Sequence, residues 1–376
     1  MSLEYTKNLI IPENNKASFT EYDNVDFLIP ADVSRALVGN QIRITGDLRV
    51  LNNGSNVVAG DKIYYDEKVG IAAFVSQIQT SFQTKGQVEL ANEVGRYEGM
   101  LEDAQSSHND MCVGSKSCEL KVPLREMSEL VLTGRETNTT GQTPVLNDPC
   151  DFSYKPNICL NNCEGNPMIP FSKTGSIRVV LTLARHQRAL FGNGVSATTS
   201  YTISNLQLHY KTAALPQQAL PPVAMKVKYH IRQAILSGAS NLNAKVPAAC
   251  NSVAVSFIKQ SDEGGNAPNS LAREVLPKTT RVQFLFNNST AQRIQYPINN
   301  REEVLLRYLD AMKDGGKHSS MTLKKLKGNE SYGVGLSFGE YISLVNDSLN
   351  IQLDSAVNSS EGYSAHMFFH SLMALQ

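Results

Sequence analysis

Tryptophan is absent from the 376 residues, and so is net charge: 35 Lys and Arg are matched by 35 Asp and Glu. A protein that grips nucleic acid by its phosphates carries an excess of basic side chains. Neither the whole chain nor any long segment has one, so no specific nucleic-acid partner is expected. The cluster Lys324, Lys325, Lys327 is short and reads as a solvated loop. The missing Trp counts against a carbohydrate-binding surface, which exploits Trp and Tyr faces. No apolar run approaches the roughly 20 residues needed to span a bilayer. The opening MSLEYTKNLIIPENN lacks the basic start and long apolar stretch of a signal peptide, so synthesis in the cytosol is expected.

Signatures of catalysis are also missing. There is no Walker-type phosphate loop, no GxSxG elbow and no HExxH pair. Gly333, Gly335 and Gly339 are spaced like a nucleotide loop but lie in β-like sequence with no helix after them. His366 and His370 are four apart. In a strand that spacing puts them on one face but ~13 Å apart, too far to share an ion, and both are expected at the surface or rim. Glu302 with Glu303, and Asp61 with Asp66, read as helix-start and turn residues. Asp26, His186 and Arg188 sit beside apolar runs without a defined role. No catalytic residue, cofactor site or dedicated metal site is expected.

Cysteine is concentrated rather than scarce. Cys112, Cys118, Cys150, Cys159 and Cys163 fall in one stretch, and Cys250 stands alone. No pair has CxxC spacing and no His follows at zinc-finger distance. Three states stay open: free thiols in a loop, which is the leading expectation; a disulfide-stapled loop; and a zinc site from Cys112, Cys118, Cys159 and Cys163.

Alternation dominates what is present. Ile42, Ile44, Leu48 and Val50 share one phase, with Arg43, Thr45, Asp47 and Arg49 in the other, the pattern of a strand with one buried face. Val69–Phe82 reads as a second long β segment. After Thr84-Lys85-Gly86 the period changes. Val88, Ala91, Val94, Tyr97 and Leu101 recur at three- and four-residue steps, which predicts a helix. From Gln105 to Pro170 the pattern is poor and reads as an elaborated loop region. Ile177, Val179, Leu181 and Leu183 form another strand. Tyr201 and Ile203 share a phase that Leu206, Leu208 and Tyr210 reverse, which predicts a β-bulge near Ser204-Asn205.

The stretch Ala213–Val223 carries Pro216, Pro221 and Pro222 and reads as a linker. Strand-like sequence then resumes, interrupted by one helix whose predicted buried stripe is Val304, Leu305, Tyr308, Leu309 and Met312. Each half ends in an alternating strand, a loop and a Tyr-initiated last strand: Ile177–Leu183 then Tyr201–Tyr210, and Leu349–Leu353 then Tyr363–Leu372. A faint repeat of half the chain suggests two domains of one type. Residues 1–213 form the first, with the cysteine-containing insertion at about 105–170. Residues 214–223 form the linker and 224–376 the second domain. Many short strands in each indicate sandwiches or jelly rolls.

Four segments carry a resemblance to a known family: FVSQIQTSFQTKGQVELANEVGRYEGMLED; MIPFSKTGSIRVVLTLARHQRALFG with YTISNLQLHYKT; LPKTTRVQFLFNNST with YPINNREEVLLRYLD; and LNIQLDSAVNSSEGYSAHMFFHSL. In this order the chain resembles the double-jelly-roll major capsid proteins of tailless icosahedral DNA viruses, the lineage of membrane-containing phages, polinton-like viruses and virophages. The resemblance implies an all-β chain of two tandem eight-stranded barrels, each with a principal short helix. It implies a homotrimer forming a pseudo-hexameric capsomer in the virion shell, made in the host cytoplasm. Neighbouring capsomers, penton and minor capsid proteins and an internal membrane are the partners it implies. Two other readings remain at this stage: another virion protein (penton, spike or minor coat), and a double-jelly-roll carbohydrate-active enzyme.

Overall fold

The computed structural model describes residues 5–57, 61, 63–66, 69–105, 118–121, 150–165, 167–215, 222–235, 241–245, 248–263, 270–271, 281–286, 293–297, 301–314, 333–343, 348–353 and 362–375. Their principal strands fall into two sets. The first is β1 (Tyr5–Ile10), β2 (Asn24–Ile29), β3 (Arg43–Asn52), β4 (Val75–Phe82), β5 (Gly86–Asn92), β6 (Cys150–Tyr154), β7 (Ile177–Leu183) and β8 (Thr199–Ala214). The second is β9 (Val223–Ile235), β10 (Asn241–Lys245), β11 (Ala249–Lys259), β12 (Arg281–Phe286), β13 (Arg293–Pro297), β14 (Val334–Ser343), β15 (Ser348–Leu353) and β16 (Tyr363–Leu375).

Hydrogen bonding arranges the first set as two antiparallel sheets, β1-β8-β3-β6 and β2-β7-β4-β5. The second set forms β9-β16-β11-β14 and β10-β15-β12-β13. The orders are the same once eight is added to each label. Each is the jelly-roll order, in which most consecutive strands cross between two facing sheets. The principal helices repeat too: α1 (Val94–Gln105) lies between the fifth and sixth strands of its set, and α2 (Arg301–Asp314) between the fifth and sixth of the other. The fold is a double jelly roll.

Alternation in the sequence places the strands. Ile42, Ile44, Leu48 and Val50 are buried, as are Ile177, Val179, Leu181 and Leu183. The predicted bulge is present: the register of β8 against β3 shifts between Ser204 and Gln207, and Asn205 adopts φ 52°. Tyr201 and Ile203 before it, and Leu206, Leu208 and Tyr210 after it, therefore all face the core. In α2, Val304, Leu305, Tyr308 and Met312 are buried and Leu309 is half-buried.

Three local expectations differ. The helix predicted from Val88 begins only at Val94, because Gly86, at φ 72°, turns the chain back and Gly86–Asn92 pairs with β4. Val88 and Ala91 are strand residues whose spacing matched a helical step by coincidence. The β segment predicted from Val69 begins at Val75, after a 3-10 turn over Gly70–Phe74. Within the region read as a loop, Cys150–Tyr154 is a full strand of the first sheet, and Ile158, Cys159 and Leu160 are core residues. Residues 106–117 and 122–149, the linker prolines Pro216 and Pro221, and Lys324, Lys325 and Lys327 lie outside the described residues.

The glycine-spaced run is explained by packing. A Cβ on Gly335 would stand 2.7 Å from the Ala311 Cβ and 3.1 Å from the Tyr308 Cα, both on α2. Glycine there lets the helix lie directly on β14. Gly339, at φ 77°, has nothing within 4 Å of such an atom. Gly335→Ala is therefore expected to cost about 1–3 kcal/mol by overpacking. Gly339→Asn should stay within about 0.5 kcal/mol, since Asn tolerates positive φ. Urea unfolding of the two variants checks the contrast.

Candidate functional site

Elements of the two strand sets meet along a seam, and α1 is its centre. Every described side chain from Val94 to Ala104 is buried, and α1 contacts α2. Tyr97, Met100, Leu101 and Ala104 pack into the core built mainly from the second set. In exchange, Val223, Met225 and Val227 of β9 and Leu375 of β16 pack into the core of the first. Cys163 and Glu164 pair with Met225 and Ala224, adding a strand from the first set's connections to a sheet of the second.

The helix also buries charge: Arg96, Glu98 and Glu102 are each at most 3% exposed. Charges removed from water need partners supplied by the surroundings. The Arg96 guanidinium donates to the Ser270 carbonyl at 2.6 Å, and its Nε lies 3.6 Å from the Glu93 carboxylate. Ser270 donates through Oγ to the Arg188 carbonyl at 2.6 Å, and the Arg188 guanidinium itself pairs with Glu93. Lys121 closes the other side, with its Nζ 2.9 Å from Glu102, 3.0 Å from Glu119 and 3.9 Å from Glu98. Burial alone would pull its pKa down. The carboxylates of Glu102, Glu98 and Glu119 outweigh that and hold the ammonium charged, above its ordinary value.

Lys228 of β9 does the same work between the sets. Its ammonium donates to the Asn157 carbonyl at 2.5 Å and to Asn157 Oδ1 at 3.2 Å. It stands 3.6 Å from the fully buried Glu89 carboxylate and 5.0 Å from the centroid of the Tyr97 ring.

Two hydrogen-bond chains run through β16. Ser252 Oγ donates to the Ala311 carbonyl at 3.0 Å, so it accepts from His370 Nδ1–H at 2.7 Å. His370 Nε2 is then an acceptor and takes the Tyr97 hydroxyl proton at 2.8 Å. One chain thus links α1, β16, β11 and α2. In the second, His366 Nε2–H donates to Glu263 at 3.0 Å, and His366 Nδ1 accepts from His230 Nε2–H at 3.1 Å. Arg232, at 2.6 Å, and Ser364, at 2.6 Å, hold the same Glu263 carboxylate. Burial pushes His230, His366 and His370 down to about 3, so all three are neutral near pH 7. Burial would raise Glu263, but hydrogen bonds from His366, Arg232 and Ser364 prevail and keep it well below the usual carboxylate range.

His366 and His370 are therefore interior residues, 0% and 1% exposed, and not the rim residues expected. The signal was present. Tyr363–Leu375 shows almost no polar alternation, the mark of a strand covered on both faces. Arg188 joins the seam, whereas His186 pairs with Glu21 and Asp26 with Arg178 away from it. Asp66 accepts from the Val69 amide at 3.3 Å, and Glu303 pairs with Arg307 along α2.

Among the cysteines, Cys112 lies outside the described residues. Cys118, Cys159, Cys163 and Cys250 are free thiols, and Cys150 opens β6. Cys163 Sγ lies 3.7 Å from the Cys159 carbonyl, and burial raises both thiols, Cys163 to about 12. Among the described residues no group of three or more His, Cys, Asp or Glu could hold a metal ion.

A scan against protein-family models and a search of curated proteins found no match. Solved structures do match. The Faustovirus major capsid protein aligns with a TM-score of 0.58 over 100% of this chain and 90% of its own, at 7% identity. PBCV-1 VP54, in a crystal structure fitted into a cryo-EM reconstruction of the virophage Sputnik, aligns at 0.58 over 100% and 96%, at 8% identity. The cryo-EM structure of the Sputnik virophage gives 0.55 over 99% and 85%, at 11% identity. The likeness is one of fold, and it extends through both rolls.

The seam generates two expectations. A histidine with a depressed folded-state pKa binds its proton more readily when unfolded. Its contribution is complete above the ordinary value near 6.5 and drains as pH falls toward 3. Stability should therefore decline between pH 6.5 and 5, by about 1.4 kcal/mol per pH unit for each histidine engaged. His370→Gln should flatten the slope in urea titrations across that window. Lys228→Met leaves Glu89 buried without its cation and should cost about 3–5 kcal/mol. Adding Glu89→Gln should restore much of that loss in a double-mutant cycle.

Proposed function

We propose that this chain is a structural major capsid protein whose homotrimer forms a pseudo-hexameric capsomer in an icosahedral viral shell. The observation that carries the reading is the repeat of one strand order in two rolls joined by a helix whose described side chains are all buried. Two similar lobes per chain become six near-equivalent lobes when three copies associate around an axis. Such a block tiles a facet only if the angle between its lobes is fixed, and the seam of buried ion pairs and hydrogen bonds supports that rigidity.

The similar structures of the Faustovirus and PBCV-1 capsid proteins cover both rolls and support the same role. On this reading the two lobes comprise residues 1–213 and 224–376, with 214–223 between them. The chain acts mechanically and not as an enzyme. Its place is the virion shell, among neighbouring capsomers and penton and minor capsid proteins, with an internal membrane as a further contact. Zero net charge suits subunits that touch one another more than they touch packaged nucleic acid.

Light scattering on the purified protein under non-denaturing conditions tests the assignment. The expected mass is three chains. A five-fold assembly would point to a penton, and a stable monomer with hydrolytic activity to a carbohydrate-active enzyme. Either result would overturn the proposal.

A further inference from the structure

The sheet β1-β8-β3-β6 turns Leu208 and Tyr210 of β8 into the core and His209 and Lys211 outward. On that outer face Lys7 of β1 stands directly opposite Lys211. His209 stands directly opposite Arg43 of β3. Directly opposed residues in antiparallel strands have Cβ atoms about 4.5–5.5 Å apart, and like charges so placed are destabilising. Lys155, just beyond β6, lines the same hollow. The result is a cavity of about 490 Å³ that Asn8 and Gln41 also line, with no Asp or Glu among the described residues of its wall.

Several surface cations elsewhere have acidic partners: Lys16 with Asp23, Arg178 with Asp26, Lys226 with Glu164, Arg232 with Glu263. Lys7, Arg43 and Lys211 form no ion pair with any described residue. Asp47, the acid on the same face of β3, is four residues from Arg43, ~13 Å along the strand, and accepts a hydrogen bond from Asn205 at 2.5 Å. In a chain whose charges balance overall, three cations set in register without a counter-charge mark a place that an anion would stabilise.

We propose that this pocket binds a phosphate group. The group is either carried by a small soluble molecule or is the headgroup of an anionic phospholipid. A phosphomonoester brings a charge of about −1.5 to −2 and three acceptor oxygens, which suits a set of three or four cations better than a single carboxylate does. Arg43 is already oriented, with Nη1 donating to the Ser153 carbonyl at 3.3 Å and to Ser153 Oγ at 3.1 Å. The rest of its guanidinium remains to meet oxygen bidentately. The threonine beside it, Thr45, is hydrogen-bonded to His209 Nε2 at 3.0 Å and fixes that imidazole across the floor. The inference does not depend on the capsid assignment.

The test is titration calorimetry and thermal melting at low ionic strength, with inorganic pyrophosphate against chloride of equal ionic strength. A second arm measures binding to phosphatidylcholine vesicles with and without phosphatidic acid. Saturable stabilisation by pyrophosphate identifies a soluble ligand. Binding only to vesicles containing phosphatidic acid identifies a headgroup. Either result supports the site. The double variant K7Q/K211Q should weaken the bound form at least about tenfold. Without ligand it should melt no lower than the parent, because it removes an opposed pair of like charges. The proposal fails if neither probe binds beyond the chloride control, if the double variant binds equally well, or if only an oligonucleotide binds.

Discussion

An arginine with no solvent exposure has to be answered by acceptors, and Arg96 is answered by residues far from it in sequence: Ser270, 174 positions away, accepts its guanidinium proton. That requirement governs the architecture. Helix α1 lies where two jelly rolls meet, and it is apolar enough to be buried but carries Arg96, Glu98 and Glu102. An uncompensated buried charge costs several kcal/mol. The two rolls therefore cannot separate without stranding Arg96, Lys228 and the Tyr97–His370 chain. Polar contacts of this kind add little net stability over a hydrophobic seam. They do penalise every relative placement except the one that pairs them all.

The same geometry connects fold to mechanics. A jelly roll alone can pack against a second one in many ways, because sheet faces and loops are tolerant surfaces. Here the sheets share a strand pair at Cys163–Glu164, the cores exchange residues, and hydrogen-bond chains pass from α1 through β16 and β11 to α2. These contacts tie two similar ends together. A rigid two-lobed block is what a pseudo-six-fold assembly of three copies would require.

Much of this was readable before any coordinates. Period-two alternation located β3, β7 and β8, and the phase reversal at Ser204-Asn205 located the bulge, because facing in a strand is a strictly local property. The stripe of α2 was legible for the same reason. What escaped was non-local. Val88 and Ala91 fit a helical period as well as a strand, and only pairing with β4 decided between them. Cys150–Tyr154 is short and polar at its edges, so its place in the first sheet comes from β3 rather than from itself. The unalternating run Tyr363–Leu375 hinted that His366 and His370 are interior, but what holds a buried neutral histidine is its partners, here Glu263, His230, Tyr97 and Ser252. Those partners lie up to 273 positions away. The cross-strand pairing of Lys7 with Lys211 was invisible until register was known.

The lack of tryptophan gives a direct way to ask whether the seam makes one cooperative unit. Phe191→Trp places a reporter in the first roll, beside Tyr64, and Phe338→Trp places one in the second, beside Phe286. Equilibrium urea unfolding of each variant, followed by its single tryptophan and by circular dichroism, should give coincident transitions with one midpoint. If the two reporters melt at clearly different denaturant concentrations, the rolls are independent domains and the buried helix does not bind them into one body.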